Sequence, residues 1–263
     1  MKKLIISALM LAVSSVTFAQ FTNGGSKSAA GDNSDYNKVS ASFTLGSFGE
    51  KYNGVKGEST GLYGFNVGYS HGFNLSQNLP IFLEVGGEFN FHSGSSKNYV
   101  GNSILSKFDL DDLYDDDFLE DYLDELEDYY EDIEDGKIGE TTFTFMNIAV
   151  PVNFLYRFDI SDKFSVAPYA GLNFKVNIIG KAKAKGASES ASFFKKEDVG
   201  GDDFTANRFQ LGMNLGVNCI INKKFSAGYR FQPDFISYQS YNKYGLDYST
   251  KITSHYFTFG YIF

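Results

Sequence analysis

The sequence predicts an all-β chain, an eight-stranded antiparallel up-and-down transmembrane β-barrel with a long acidic, partly helical extracellular loop. Three observations lead there. Strict two-residue alternation of apolar and polar side chains recurs in eight segments, which is the period of a half-buried strand and not of a helix. The connections between those segments alternate short and long, as they do where short turns line one side of a membrane and loops the other. The composition fits as well, with 18 Tyr, 27 Phe and 27 Gly against only 4 Pro and no Trp.

At the N-terminus, Lys2 and Lys3 precede an apolar run from Leu4 to Val16, followed by Thr17-Phe18-Ala19. This pattern predicts a secretory signal peptide over 1–19, with cleavage leaving Gln20 first. The run is too short to cross a bilayer as a helix, which takes about 20 residues. Residues 20–35 are expected to be a flexible N-terminal segment, and 36–263 the barrel. The single cysteine, Cys219, excludes an internal disulfide.

The first alternating segment sets Val39, Ala41, Phe43 and Leu45 outward and Ser40, Ser42 and Thr44 inward. The second has Tyr63, Phe65, Val67 and Tyr69 outward. The third sets Ile81, Leu83, Val85, Phe89 and Phe91 against Glu84, Glu88 and Asn90. In the fourth, Ile148, Val150, Val152, Phe154 and Tyr156 oppose Asn147 and Asn153, and in the fifth Leu172, Phe174 and Val176 oppose Asn173 and Lys175. The sixth alternates Phe209 to Val217 against Arg208, Gln210 and Asn214, and the seventh Phe225 to Phe231 against Ser226 and Arg230. The eighth carries Phe257, Phe259, Tyr261 and Phe263 on one face, and the chain is expected to end inside it. Stretches 47–61, 93–141, 180–206 and 232–253 read as the long loops.

An apolar face of this kind needs lipid, and in lipid every backbone N–H and C=O must be paired, so the strands must close on themselves. An eight-strand barrel is just wide enough for side chains to fill. The inward charges Glu84, Glu88, Arg157, Lys175, Arg208 and Arg230 must then pair with one another, since an isolated buried charge is costly. The expected outcome is an internal salt-bridge network that plugs the barrel; a narrow polar conduit, and so a passive channel, is the alternative.

The run 109–135 holds 16 Asp or Glu in 27 residues and no Lys or Arg. The formal charge of −9 is therefore local to it, and the remainder of the chain is net basic. Leu119, Tyr122, Leu123, Leu126, Tyr130 and Ile133 recur at helical spacing. Divalent cations or a basic partner would offset this charge, with Asp111, Asp112, Asp115, Asp116 and Asp117 as candidate ligands, although DLDDLYDDD lacks the glycine and spacing of an EF-hand. The lysine-bearing stretch 181–196 is another expected counterpart. Of the three histidines, His92 precedes Ser93, but no catalytic constellation is recognisable; an enzyme is not expected, and a lipid A-modifying barrel stays a remote alternative. No cofactor and no nucleic-acid patch are expected.

The stretch NIAVPVNFLYRFDISDKFSVAPYAGLNFKVNI resembles the core of the small outer membrane protein beta-barrel domain family, which includes PorT-like, porin-family proteins. Val150-Pro151-Val152 stands at its Ile-Pro-Leu step, Tyr156-Arg157-Phe158 at its Tyr-x-Phe, and Pro168-Tyr169-Ala170-Gly171 near its glycine-rich step. RFQLGMNLGVNCIINKKFSAGYRF is similar to its later hairpin. The resemblance implies a place in the cell outer membrane, with outer-membrane lipid and the barrel-insertion machinery as partners; a monomer is expected. It also implies that Phe257, Phe259, Tyr261 and Phe263 form the assembly signal. The family is defined by its barrel and not by a catalytic motif; with the acidic run, the expected function is structural or surface-interacting, with loops that bind cations or a partner.

Overall fold

The computed structural model describes residues 34–76, 78–96, 140–185, 187–195, 205–243 and 246–263. Twelve strands join in one sheet: β1 (Tyr36–Tyr52), β2 (Val55–Asn74), β3 (Ile81–Ser96), β4 (Thr141–Tyr156), β5 (Phe158–Ser161), β6 (Phe164–Ala184), β7 (Ala191–Ser192), β8 (Thr205–Ala206), β9 (Phe209–Ile221), β10 (Phe225–Pro233), β11 (Gln239–Lys243) and β12 (Leu246–Ile262). Eight of them follow one another as β1-β2-β3-β4-β6-β9-β10-β12, and β12 pairs antiparallel with β1 to close the ring. At the seam, the amides of Asn37 and Phe263 each donate to the other's carbonyl, at 3.0 and 2.9 Å.

This corrects the expected simple eight-stranded barrel. The eight alternating segments lie in the eight ring strands, but four further strands belong to the same sheet: β5 and β7 pair with β6, β11 with β12, and β8 with β11. The stretches expected as long loops hold much of this extra pairing. Residues 47–61 are not a loop: β1 and β2 run on to a two-residue turn at Asn53 and Gly54, with φ of 48° and 79°. Two positive φ values match the twist of a tight hairpin, and Gly54 adopts its value without a Cβ penalty. In 232–253, β10 ends at Pro233, the Asp234 amide still donates to the Ile252 carbonyl at 3.0 Å, and β11 then takes its place beside β12. The acidic run 109–135, with its expected helical character, and the signal peptide lie outside the described residues.

Side chains explain the missed strands. Along the first half of each ring strand, counted from the short-turn end, outward residues are mostly apolar and inward ones mostly polar, apart from a few buried apolar side chains at that end. Toward the other end the phase of polarity inverts. Outward positions become Ser47, Ser59, Thr142 and Lys181, while Phe48, Leu62, Phe143, Phe145 and Ile252 point inward and are buried. A search for outward apolar alternation loses the strand at that inversion.

Candidate functional site

Two features define the candidate site: an apolar outer girdle and the interior it encloses. The girdle is built from every second residue of all eight ring strands. Tyr63 is 62% exposed, Phe154 58%, Phe225 55% and Phe259 69%. Val39, Phe43, Ile148, Leu172, Phe209, Leu215 and Phe257 are exposed along the same face. A contiguous apolar surface running round a whole ring exceeds what a water-facing monomer tolerates and marks an interaction surface. The predicted assembly residues Phe257, Phe259, Tyr261 and Phe263 form its β12 edge, all exposed, with the Tyr261 and Phe263 rings stacked at 6.2 Å.

The interior is layered. At the short-turn end, Phe82, Leu155 and Ala167 form a small buried apolar cluster with Tyr36, Tyr169 and Ile220 against it. Above it Lys38 donates to Glu84 at 2.6 Å and the Tyr36 hydroxyl to the same oxygen at 2.9 Å. Arg230 then crosses the ring. Its two terminal nitrogens donate to the two oxygens of Glu88 at 2.7 and 2.9 Å, from β10 to β3, four places apart in the ring of eight. Its guanidinium lies 4.0 Å from the centre of the Tyr256 ring. A forked pair of this kind is the strongest geometry open to a carboxylate, and here it ties opposite walls together.

Amides fill the same depth. Asn66 donates to Asn90 at 2.8 Å and Asn90 to Asn147 at 2.9 Å, while Asn214 donates to Asn153 at 3.0 Å and Asn173 to Gln232 at 2.7 Å. Lys175 meets Asp234 at 2.6 Å, and the Tyr238 hydroxyl donates to the same carboxylate at 3.3 Å. A cavity of about 20 Å³, bordered by Lys38, Glu84, Glu88 and Arg230, remains among these groups, which is room for about one water.

A second, larger apolar core closes the far end. Phe48, Leu62, Phe143, Phe145, Phe193, Tyr238 and Ile252 are buried together. Phe193, just after β7, inserts from the 185–195 connection and stacks on Phe145 at 5.4 Å. The interior is thus polar in the middle and apolar at both ends. Outside this core, Glu50 accepts from the Tyr52 and Tyr248 hydroxyls at 3.0 and 3.1 Å. Burial first, and then the Glu50 charge, push the Tyr52 phenol well above its usual range, so it remains a donor.

Of the six interior charges read from the sequence, Glu84, Glu88, Lys175 and Arg230 point inward and pair as described. Arg157 is buried at the short-turn end, 3.1 Å from Asp159 and 5.3 Å from the Phe82 ring centre. Arg208 is not interior. It is exposed, lies just before β9, and packs its guanidinium 4.6 Å from the Phe194 ring centre. A residue preceding its strand is not bound by the strand's inward phase. Lys38 and Asp234 complete two of the pairs, and alternation does not single them out: Lys38 precedes the first segment read, and Asp234 follows Pro233, where the alternation breaks. Asp111, Asp112, Asp115, Asp116 and Asp117 lie outside the described residues. Among the described residues, no group of three or more His, Cys, Asp or Glu is placed to hold a metal. His71 sits by Asn37 and Asp35, His92 by Tyr256, and His255 accepts or donates a 2.7 Å hydrogen bond with Tyr229.

No family model matches the chain, so the PorT-like assignment gains no support from one. No curated protein matches it either. Solved structures do. Ail, the attachment invasion locus protein of Yersinia pestis, is 16% identical with a TM-score of 0.39, over 88% of this chain and 99% of that one. The outer membrane protein OprG from Pseudomonas aeruginosa is 12% identical with a TM-score of 0.41, over 88% and 97%. A major outer membrane protein from Thermus thermophilus is 15% identical with a TM-score of 0.38, over 85% and 99%. Likeness of this degree is too slight to bring any of their activities to this chain.

Proposed function

We propose that this chain is a β-stranded outer-membrane protein of structural or surface-interaction type. The girdle would sit in lipid, the short turns in the periplasm, and the extended ends of the strands outside the cell. One observation carries the reading: along the lower part of the ring the outward faces are apolar and exposed or, on β3, half-exposed, while the middle of the interior is polar and tied by ion pairs and amide hydrogen bonds. Water would penalise that arrangement, and a bilayer requires it. The exposed aromatic row on β12 is the surface we infer the insertion machinery engages. Two apolar cores and a cross-ring ion pair favour a sealed body over a conduit.

The test is expression of the full chain, followed by fractionation and reconstitution. The protein should partition with outer membrane, migrate differently on gels before and after heating, and give no steady conductance in planar bilayers. Recovery as a soluble periplasmic species would contradict the membrane reading, and an ohmic pore would contradict the sealed interior.

A further inference from the structure

The geometry points to a binding site for the phosphate groups of outer-leaflet lipid on the outer wall formed by Arg208, Lys181 and Lys183. This rests on the outer-membrane reading above. On this wall the apolar girdle ends at Ile178 and Phe209, which are 48% and 43% exposed. Cations begin immediately beyond. Arg208 precedes Phe209, and its Nη1 donates to the carbonyls of Asn177 and Ile178, each at 3.2 Å. With the Phe194 ring on its other side, the guanidinium is held at the edge of the apolar surface. It has five N–H donors, and the two bonds named use only Nη1.

Lys181 lies three residues past Ile178 on β6, about 10 Å at the usual rise, and Lys183 two beyond it; both are exposed. Thr144 and Thr142 of β4 stand opposite them in register, adding hydroxyls beside the two ammonium groups. The buried cations Lys38, Lys175 and Arg230 each have a carboxylate within 2.7 Å. Lys181, Lys183 and Arg208 have no carboxylate partner among the described residues. Cations that border an apolar face and have no carboxylate partner among the described residues suit a ligand that is anionic at one end and apolar at the other. A lipid whose phosphate lies on these side chains and whose acyl chains lie along Ile178 and Phe209 meets both conditions. Lys51 and Lys56, by contrast, pair beside the Asn53-Gly54 turn. Lys51 is six residues past Leu45 on β1, about 20 Å beyond the girdle, about twice as far out as Lys181.

The experiment uses the full chain reconstituted in phosphatidylcholine nanodiscs doped with diphosphoryl lipid A or with its dephosphorylated form. Bound lipid is counted by native mass spectrometry. Wild type and the control K51Q/K56Q should retain the phosphorylated lipid, and K181Q/K183Q/R208Q should bind it at least about tenfold more weakly. That drop corresponds to part of the attraction expected of three surface cations. Dephosphorylated lipid should bind weakly to all, and excess inorganic phosphate should not displace the lipid. Equal retention by the triple variant, equal loss in the control, or displacement by inorganic phosphate would each overturn the inference. Gel migration before and after heating reports whether each variant is folded. If the triple variant is not, Lys181→Gln alone should show a loss of about fivefold, and no loss would overturn the site. A wild type that fails to enter bilayers contradicts the outer-membrane reading itself; one that enters and ignores the phosphates contradicts only this inference.

Discussion

Arg230 and Glu88 illustrate how the interior is held at the scale of single residues. Their side chains are almost fully buried, and the pair spans the ring. Removing one partner strands the other charge, which costs about 3–5 kcal/mol, whereas removing both costs far less. Arg230→Gln should therefore destabilise strongly, with Asn66 Nδ2, 3.1 Å from Glu88, as the remaining donor. The double variant E88Q/R230Q should recover most of the loss, as a double-mutant cycle of urea unfolding in lipid would measure. Equal effects of single and double variants would mean that the pair carries no coupling. Glycine has a steric role at the same scale. A Cβ on Gly64 would lie 1.8 Å from the Phe91 carbonyl, so no other residue fits there without moving β3 from β2. The inward phase of Glu84, Glu88, Lys175 and Arg230 is readable from alternation alone, because a side chain's face is set by its parity along the strand. The partners Lys38 and Asp234 are harder to read, because pairing across a ring depends on register, which alternation does not encode.

At the scale of the element, each ring strand carries two patterns in series. Leu215 and Asn214 on β9 are adjacent in sequence and opposite in surroundings: Leu215 is 40% exposed and Asn214 fully buried against Asn153. Leu215→Arg should cost about 2–4 kcal/mol if its face meets hydrocarbon. Asn214→Arg should act instead by overfilling the interior, and Asn214→Ala should be milder, leaving Asn153 without a donor. Refolding into bilayers of each variant separates these outcomes, and equal tolerance of Leu215→Arg and Leu215→Ala would contradict a lipid-facing β9. The apolar half of each strand is legible in the sequence because apolar residues recur at most of its outward positions. The polar-outside half is not, because Phe48, Leu62, Phe143 and Phe145 keep the inward parity while the outward residues become polar. The same inversion explains why 47–61 reads as a loop when it is a hairpin, and why β7, β8 and β11, each of five residues or fewer, leave no periodic trace.

For the whole molecule, the inversion places a boundary. Below it the ring is apolar outside and, above the small cluster of Phe82, Leu155 and Ala167, polar inside; beyond it the ring is polar outside and apolar inside, as a sheet surrounded by water would be. The aromatic core around Phe193 lies wholly on the upper side, so Phe193→Ala should weaken the outer end while leaving insertion intact. Limited proteolysis of membrane-embedded protein would detect this as faster cleavage in the 185–208 region with unchanged resistance of the girdle strands. The central claim is that the lower ring lies in lipid and the boundary lies at the inversion. Nitroxide scanning of β12 from 249 to 263, in a Cys219→Ala background reconstituted in bilayers, tests it most directly. Oxygen accessibility should oscillate with a period of two residues, with maxima at 257, 259, 261 and 263, and near 253 and 251 the same odd positions should become accessible to a water-soluble nickel reagent instead. Odd positions open to the water-soluble reagent along the whole strand would contradict the account.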